Sequence, residues 1–260
     1  MLFLLSPAKT LDFETAALTD TFTQPRLIND AKVLIEHARD LSIGDIKSLM
    51  GVSDNIAELN EKRFKDWSAP FSLSNAKQAG YAFKGDVYSG LNIETCGEQA
   101  VKYLQARVRI LSGLYGVLRP LDLMQPYRLE MGIKLDNERG TNLYKFWGDS
   151  ISELLNEDIA SSDDDVVINL ASNEYFKAVD KKALKGRLIT PVFKDLKNGA
   201  YKIVSFYAKK ARGLMVRFAV DHEVANAEQL KAFNYEGYRF SDDLSEGDTW
   251  VFVRDEVPKG

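Results

Sequence analysis

Three short, largely apolar segments restrict the folds open to this chain more than any other feature. They are Met1–Leu5, Val108–Leu111 and Val166–Ala171, and each is followed by a polar loop. Such runs are typical of strands that helices cover on both faces. Amphipathic helical spacing lies between them, most clearly from Leu27 to Leu41. The alternation predicts an α/β (mixed α+β) fold with a mixed central sheet and surrounding helices. No linker or repeat divides residues 1–260, so we expect a compact single domain.

Local signals predict the remaining elements. Ser42 and Asp45 have the spacing of a capping box, and Gly51 divides residues 42–67 into two helices. Asn198 and Gly199 are typical of a hairpin turn. Further predicted helices are Glu94–Leu104, Asn142–Asn156, Ser172–Val179 with Ser172 as N-cap, and Ala208–Val220, and further strands are Leu188–Phe193, Ala200–Phe206 and Thr249–Arg254.

Composition excludes several classes of protein. The longest apolar run, Met1–Leu5, is far shorter than the roughly 20 residues of a membrane span, and no basic residue precedes it. We therefore expect a cytoplasmic protein with no membrane partner. One cysteine, Cys96, and two histidines provide little material for a metal centre. The acidic residues 163–165 are interpreted as a solvated turn. We expect a monomer with no metal and no cofactor.

Charge is distributed unevenly along a chain whose net charge is −4. The segment Phe193–Phe218 contains seven basic residues and one acid, Asp195, and the bases are Lys194, Lys197, Lys202, Lys209, Lys210, Arg212 and Arg217. Aromatic residues lie among them, including Phe206. Single-stranded or distorted nucleic acid is bound by such a mixture, through phosphate neutralisation and base stacking. A solvated basic face is the more common explanation of a charge run, and it stays open.

Polar loops that follow the predicted strands suggest an anion or ligand pocket, because open α/β sheets bind ligands at the carboxyl ends of their strands. The loops begin at Ser6, Ser112 and Asn169. The candidate residues are Ser6, Lys9, Thr10, Lys84, Arg109, Ser112, Tyr115, Arg119, Arg128, Asn169 and Ser172. Hydroxyls that satisfy local backbone, a tight core turn, and an Arg128–Glu130 ion pair are the alternatives. No residue is assigned a catalytic role.

Residues 42–67 are similar to a helix-hairpin-helix element, whose hairpin amides contact DNA phosphates without reading bases. The hairpin is Gly51-Val52-Ser53, and it departs from the usual pattern at Ser53 and at the acidic Asp54. An ordinary helical hairpin is the alternative. The full set of candidate DNA-binding residues is Lys47, Gly51, Val52, Ser53, Lys62, Arg63, Lys194, Lys202, Lys209, Lys210 and Arg212.

Five ordered motifs together resemble the YaaA-type peroxide stress resistance family. The motifs are residues 6–10 (SPAKT), 83–88 (FKGDVY), 111–120 (LSGLYGVLRP) with 127–131 (YRLEM), 142–147 (NLYKFW) and 167–172 (VINLAS). The resemblance spans the whole chain. It implies a cytosolic bacterial protein of the hydrogen peroxide response that helps to limit free iron. It also implies an unusual compact α/β fold. DNA binding is implied through a basic cleft and through a helix-hairpin-helix element, which corresponds to Ile46–Leu59 in this chain. No settled enzymatic activity is implied.

The leading hypothesis is therefore a protein that binds double-stranded DNA, preferring a bubble or a distorted duplex, and limits oxidative damage. The rival is an enzyme that acts on a nucleotide or another phosphorylated small molecule at the strand-end loops. Direct iron sequestration on carboxylates is the least favoured, because the chain has few histidines and cysteines. Whether the pocket and the DNA-binding residues form one cleft stays open at this point.

Overall fold

The computed structural model describes residues 1–162 and 164–257, so Asp163 of the acidic turn lies outside the described residues. The strands are β1 Leu2–Leu5, β2 Thr10–Leu11, β3 Lys77–Gln78, β4 Phe83–Lys84, β5 Val108–Ser112, β6 Gly116–Leu118, β7 Leu123–Met124, β8 Val166–Leu170, β9 Arg187–Lys197, β10 Ala200–Lys202, β11 Arg239–Glu246 and β12 Thr249–Arg254. The helices are α1 Ile28–Arg39, α2 Ile43–Met50, α3 Asp54–Asp66, α4 Ala79–Ala82, α5 Asp86–Leu91, α6 Glu98–Arg107, α7 Leu143–Trp147, α8 Ser150–Ala160, α9 Asn173–Phe176 and α10 Ser205–Asp221. Short 3-10 helices are formed by Ile93–Thr95, Ala227–Ala232 and Tyr235–Gly237.

A mixed sheet of eight strands forms the centre of the molecule, which confirms the predicted α/β fold. Its order is β11-β12-β9-β8-β1-β5-β6, and β10 pairs with β9. The five strands from β12 to β5 run parallel, whereas β6, β10 and β11 are antiparallel to their partners. Two-stranded pairs form outside the sheet between β2 and β4 and between β3 and β7. Four of the parallel strands are buried over most of their length, whereas in β9 only alternate residues from Ile189 to Asp195 are buried.

The first strand occupies the middle of this sheet. β1 is completely buried and pairs with β5 on one side and with β8 on the other. The chain therefore fills one side of β1 before it crosses to the opposite side. Such a reversal of strand order leaves a crevice between the carboxyl ends of the two strands at which the order changes. In this protein the crevice lies beyond Leu5 and Leu170, which are in register.

The long helices follow their apolar spacing. α1 buries Ala31, Leu34, Ile35 and Ala38. α2 begins with the predicted capping box, in which the Ser42 hydroxyl accepts a hydrogen bond from the Asp45 amide at 3.2 Å. It ends at Gly51, whose φ of 61° lies in the left-handed region, and α3 follows after Val52 and Ser53. The two predicted helices of residues 42–67 are thus present.

Several predicted boundaries differ from the structure. The helix predicted over Asn142–Asn156 is broken into α7 and α8 at Gly148, where φ is 45°. Residues predicted as a strand up to Phe206 instead begin α10 at Ser205, after β10 ends at Lys202. α9 is a single turn, and its N-cap Ser172 makes no side-chain capping bond. Its hydroxyl is instead bonded to Ser6 on the neighbouring loop.

An unusually close contact joins α5 and α10. A Cβ atom on Gly213 of α10 would lie 1.8 Å from the carbonyl oxygen of Val87, and a Cβ on Gly90 of α5 would lie 2.3 Å from that of Lys210. Only glycine allows backbones to approach this closely. The contact fixes the first half of α10 beside the crevice. Within residues 1–162 and 164–257, no helix has the length and apolar character needed to cross a membrane.

Candidate functional site

A cavity of about 540 Å³ opens where β1 and β8 end. The Ser6 hydroxyl accepts a hydrogen bond from the Ser172 amide at 2.8 Å and donates to the Ser172 hydroxyl at 3.3 Å. The Tyr88 hydroxyl donates to the Ser6 carbonyl at 3.0 Å. These bonds tie the two strand-end loops to α5. The lining residues are Ser6, Pro7, Ala8, Lys9, Thr10, Lys84, Gly85, Asp86, Val87, Tyr88, Glu130, Ser172, Glu174, Tyr175, Lys209 and Arg212.

Four basic side chains line this cavity, and they differ in whether an acid compensates their charge. Lys9 lies 3.2 Å from Glu130, and Lys84 pairs with Glu94 and lies 3.6 Å from Asp12. Lys209 and Arg212 have no hydrogen bond or ion pair within the described part of the chain. Arg212 is partly buried, and burial lowers its pKa. The uncompensated positive charge of the cavity therefore comes from α10.

Glu130 is the acidic group most firmly held in the cavity. Its Oε1 atom accepts a hydrogen bond from Arg128 Nε at 3.0 Å and also lies near Lys9. Its Oε2 atom is buried and has no hydrogen-bond partner. A buried carboxylate oxygen without a donor costs free energy, so it marks a position where a donor is expected. Glu174, the other glutamate of the lining, is held by backbone instead, because its Oε1 accepts a hydrogen bond from the Gly132 amide at 3.0 Å.

Two buried tyrosines contribute to the cavity wall. Burial raises the pKa of Tyr88 and of Tyr175 far above the ordinary value for a phenol. Both side chains therefore remain neutral at physiological pH and keep their O–H groups. Their rings add an apolar surface to a cavity that is otherwise lined by charged and hydroxyl groups.

The helical hairpin approaches the residue that holds Glu130. Burial, and after it the positive charge of Arg128, lowers the pKa of Arg63 on α3. These two cations are therefore close in space, although Arg128 is also paired with Glu130. The ion pair between Arg128 and Glu130, one of the alternatives raised by the sequence, is thus present. The side-chain hydrogen bond of Arg63 goes to Asn60 of the same helix, at 3.5 Å.

The cavity joins members of two sets of residues that the sequence had kept apart. Ser6, Lys9, Thr10, Lys84 and Ser172 belong to the predicted pocket. Lys209 and Arg212 belong to the predicted DNA-binding set, yet they line the same cavity. The question of one cleft or two is answered for these seven residues, which share a single concavity.

Six residues of the predicted pocket lie outside the cavity lining. Arg128 pairs with Glu130 at 3.0 Å, and the other five have partners elsewhere. Arg109 Nε donates to Asp158 at 2.6 Å, Ser112 shares a 2.6 Å hydrogen bond with Tyr127, Tyr115 accepts from Trp67 Nε1 at 3.0 Å, Arg119 pairs with Asp122 at 2.9 Å, and Asn169 accepts from the Ala171 amide at 3.1 Å. Four of them are buried, and Arg119 is partly buried. In the structure these side chains satisfy polar groups of the interior.

The remaining predicted DNA-binding residues lie on separate surfaces. Lys47 pairs with Asp54 at 2.8 Å, Lys62 with Asp66 at 2.7 Å and Lys210 with Glu236 at 2.5 Å. The amides of Gly51, Val52 and Ser53 follow α2, and a Cβ added to Gly51 would meet no atom within 4 Å. Lys194 lies on β9, and Lys202 is exposed on β10.

Signals in the sequence for the other cavity residues are weak. Glu130 stands within the motif of residues 127–131, but pairing with Arg128 was considered only as a neutral explanation. Asp86, Tyr88, Glu174 and Tyr175 also line the cavity. Asp86 and Tyr88 lie in the motif of residues 83–88, and Glu174 and Tyr175 follow Ser172 by two and three positions. Across residues 1–162 and 164–257, no group of three or more His, Cys, Asp and Glu side chains is arranged to hold a metal ion.

Comparisons with known proteins give one consistent result. A family model described as "Peroxide stress protein YaaA" matches residues 1–244. A UPF0246 protein of Neisseria meningitidis is 55% identical over 259 residues, which is 100% of both chains. A UPF0246 protein of Psychromonas ingrahamii is 57% identical over 257 residues, or 99% of this chain and 100% of the relative. The chain therefore belongs to the YaaA family of peroxide stress proteins.

Proposed function

We propose that this protein binds DNA, with a preference for distorted or partly unpaired duplex, and so limits oxidative damage and free intracellular iron in the cytoplasm during peroxide stress. The observation that carries the proposal is the position of Lys209 and Arg212. Both line the cavity, and neither has an acidic partner within the described residues. Unpaired cations beside a groove attract phosphate and release counterions when they bind it.

An exposed aromatic ring supports the preference for unpaired bases. Phe206, in the first turn of α10, is 57% exposed. Residues three apart on a helix share one face, so Phe206 and Lys209 lie on the same face of α10. A ring beside an unpaired cation is suited to stack a base whose phosphate the cation contacts. An intact duplex hides the faces of its bases, and only an unpaired base gains from this ring.

The hairpin at Gly51 makes a smaller contribution in this proposal. Lys47 and Lys62 each lie within ion-pair distance of an acid, so part of their charge is already compensated. The amides of Gly51 and Val52 already donate to the Lys47 carbonyl, so the donors that this hairpin offers a phosphate are the Ser53 amide and the first turn of α3. We therefore propose the cavity mouth and the start of α10 as the principal contact and the hairpin as a second one.

Fluorescence anisotropy with a bubble-containing duplex and a fully paired duplex of the same length tests the proposal. Affinity should fall steeply as salt rises, and Arg212→Gln should reduce the salt slope by about one. Lys231→Gln is the matched control, because Lys231 pairs with Glu228 away from the cavity. Equal, weak binding to the bubble, the duplex and an unrelated polyanion would contradict DNA recognition.

Phe206 provides a separate test of the preference for unpaired bases. Phe206→Leu keeps an apolar side chain but removes the aromatic face. It should weaken binding to the bubble by about fivefold or more and leave binding to the paired duplex unchanged. An equal loss on both DNAs would mean that the ring does not contact a base.

A second candidate function is an enzymatic action on a nucleotide or another phosphorylated small molecule. The observation that favours it is the position of the cavity at the carboxyl ends of β1 and β8, where open α/β sheets bind small ligands. Its acids and cations face one space. A thermal-shift screen distinguishes the two functions: nucleotides should stabilise an enzyme of this kind, whereas only DNA should stabilise a protein that acts on DNA alone.

A further inference from the structure

A second cavity lies beside α9, next to the main one. Its volume is about 440 Å³. The lining residues are Tyr144, Gly148, Phe176 and residues 177–182. α9 separates the two cavities, because its residues Glu174 and Tyr175 line the main cavity whereas Phe176 lines the second. α9 is a single turn of four residues, about 6 Å along its axis, so the two cavities are neighbours.

The motif of residues 142–147 builds the second cavity, and the proposed function has not yet given it a role. Tyr144 Oη donates a hydrogen bond to the Glu174 carbonyl oxygen at 2.9 Å and so ties α7 to α9. The Lys177 ammonium lies 4.9 Å from the centre of the Tyr144 ring, and the Lys181 ammonium lies 5.4 Å from that of Phe176. These two cations therefore contact the faces of aromatic rings, where the attraction is modest.

The second cavity carries three lysines, which we call the lysine surface: Lys177, Lys181 and Lys182. All three are exposed, and none has an ion pair within the described part of the chain. The described lining contains one acid, Asp180, whose Oδ1 accepts a hydrogen bond from the Lys182 amide at 2.8 Å. The ammonium groups of the lysine surface are therefore free to contact an anion from solution.

The acids around both cavities enter the same charge balance. Bases of the main lining exceed its acids by one, and these residues are Lys9, Lys84, Lys209 and Arg212 against Asp86, Glu130 and Glu174. Bases of the second lining exceed its acids by two. Glu153 and Glu157 on α8 are exposed near this segment, and neither forms an ion pair within residues 1–162 and 164–257.

Asp86 limits how much phosphate the main cavity attracts. Its carboxylate has no partner among the described residues, so a phosphate near Lys209 and Arg212 shares the cavity with an uncompensated acid. Glu174 adds a second negative charge to the same space. A chain of phosphates that extends from Lys209 and Arg212 is therefore attracted across α9 to the lysine surface more strongly than deeper into the main cavity.

The two surfaces differ in what they offer to DNA. Phe206 at the start of α10 is exposed and lies on the same face as Lys209, so this region combines a ring with a cation. Phe176 in the second cavity is only 4% exposed, and the Tyr144 ring is covered by Lys177. The lysine surface therefore offers charge without a free ring. Such a surface contacts phosphates and reads no base, as suits a paired duplex whose bases are hidden.

We propose that the lysine surface binds the phosphates of a paired DNA arm that adjoins the unpaired segment at α10, so that the protein recognises the junction between paired and unpaired DNA. The inference rests on the DNA binding proposed above, and it adds a second contact surface and the order of the two along the DNA. A strand advances about 3.4 Å per nucleotide along a duplex, so α9 corresponds to about two nucleotides. The paired arm therefore begins within a few nucleotides of the unpaired base.

Fluorescence anisotropy on the full chain tests this inference with three DNAs: a fork with a paired arm and an unpaired tail, the paired arm alone, and the unpaired strand alone. The double variant Lys181→Gln/Lys182→Gln should reduce the salt slope on the fork and on the paired arm by about 0.9 for each lysine that contacts a phosphate. Its binding to the unpaired strand should equal that of the wild type. Phe206→Leu should show the reverse pattern, with a loss on the unpaired strand and none on the paired arm.

Lys102→Gln/Lys231→Gln is the matched control, because it changes the net charge by the same amount. Lys102 pairs with Glu98 at 2.7 Å and Lys231 with Glu228 at 2.8 Å, and neither lysine lines the main or the second cavity. The control should leave the salt slopes on all three DNAs unchanged.

Three results overturn the inference while the wild type still binds bubble DNA, and they leave the DNA proposal intact. The first is a fork slope that Lys181→Gln/Lys182→Gln does not change, and the second is an equal change in the control. The third is a loss on the unpaired strand as large as on the fork, because the lysine surface would then contact single-stranded DNA. A wild-type protein that binds none of the three DNAs overturns both proposals.

Discussion

Replacing Gly213 by alanine should separate α10 from α5 and disturb the cavity from a distance. The new Cβ would lie 1.8 Å from the Val87 carbonyl oxygen, whereas real Cβ contacts essentially never fall under 3.0 Å. The helices must therefore move apart by at least 1.2 Å, the difference between 3.0 and 1.8 Å. Both atoms belong to helix backbone or are fixed to it, so no side chain can turn away to relieve the contact.

The new methyl group overpacks a close-packed core, and overpacking lowers the free energy of unfolding by about 1–3 kcal/mol. For a domain of this size the melting temperature should fall by about 2–4 °C for each kcal/mol. Lys209 and Arg212 move with α10, so ligand and DNA affinity should fall together with stability. Thermal unfolding followed by circular dichroism measures the first effect, and fluorescence anisotropy below the transition measures the second.

Gly44→Ala in α2 is the matched control, because its new Cβ would meet only the Ser42 hydroxyl, at 3.7 Å. Replacing a helical glycine that has open space around it by alanine should stabilise the protein by about 0.5–1 kcal/mol. A Gly213→Ala protein with the melting temperature and the affinity of the wild type would refute the reasoning. It would mean that α10 adapts without moving its cations.

Three further predictions concern residues outside the cavity. Asp158→Asn should cost about 3 kcal/mol at pH 7, because it leaves the buried Arg109 cation uncompensated. Burial raises the pKa of Asp158, but the hydrogen bonds from Arg109 and Arg26 outweigh it and the net shift is downward. The stabilising effect is therefore present above the ordinary pKa near 3.8 and is lost as pH falls through the lower folded value, so urea unfolding of the two proteins should converge at low pH. Tyr115→Phe removes the acceptor for Trp67 Nε1 and the Gln125 amide, and should cost about 1–3 kcal/mol in urea unfolding while DNA affinity is unchanged. Burial raises the pKa of the Cys96 thiol, so its alkylation by iodoacetamide at pH 7 should be slower than that of free cysteine, and a faster rate would contradict this environment.

Local patterns predicted the elements whose residues face a single environment. β1 and β8 are buried throughout, so their apolar runs were sufficient, and α1 follows its helical spacing. β11 was not predicted, because its sequence RFSDDLSE is largely polar and it pairs only with β12. The break at Gly148 depends on a left-handed backbone that helical spacing does not reveal. These elements are decided by tertiary pairing or by one backbone angle.

The candidate site could be predicted only in part. Parallel strands bring their carboxyl ends together, so the loops of Ser6 and Ser172 were expected to meet. The arrival of Lys209 at the same place depends on the α5–α10 contact, which links positions more than 100 residues apart and leaves no local signal. Arg109 and Tyr115 have the polar chemistry of a site, but they hydrogen-bond inside the molecule. Residue type alone does not distinguish these two uses.

The central position of β1 has a consequence for how the chain acquires its fold. The ribosome makes this strand before both of its neighbours, because β5 and β8 begin only at residues 108 and 166. Closing such long loops costs entropy before any pairing energy is gained, and folds dominated by such pairings form slowly. An apolar strand therefore has neither of these partners until β5 has been made, and it has both only after β8. During that interval it is exposed to aggregation and to chaperones, so refolding yield should depend strongly on protein concentration.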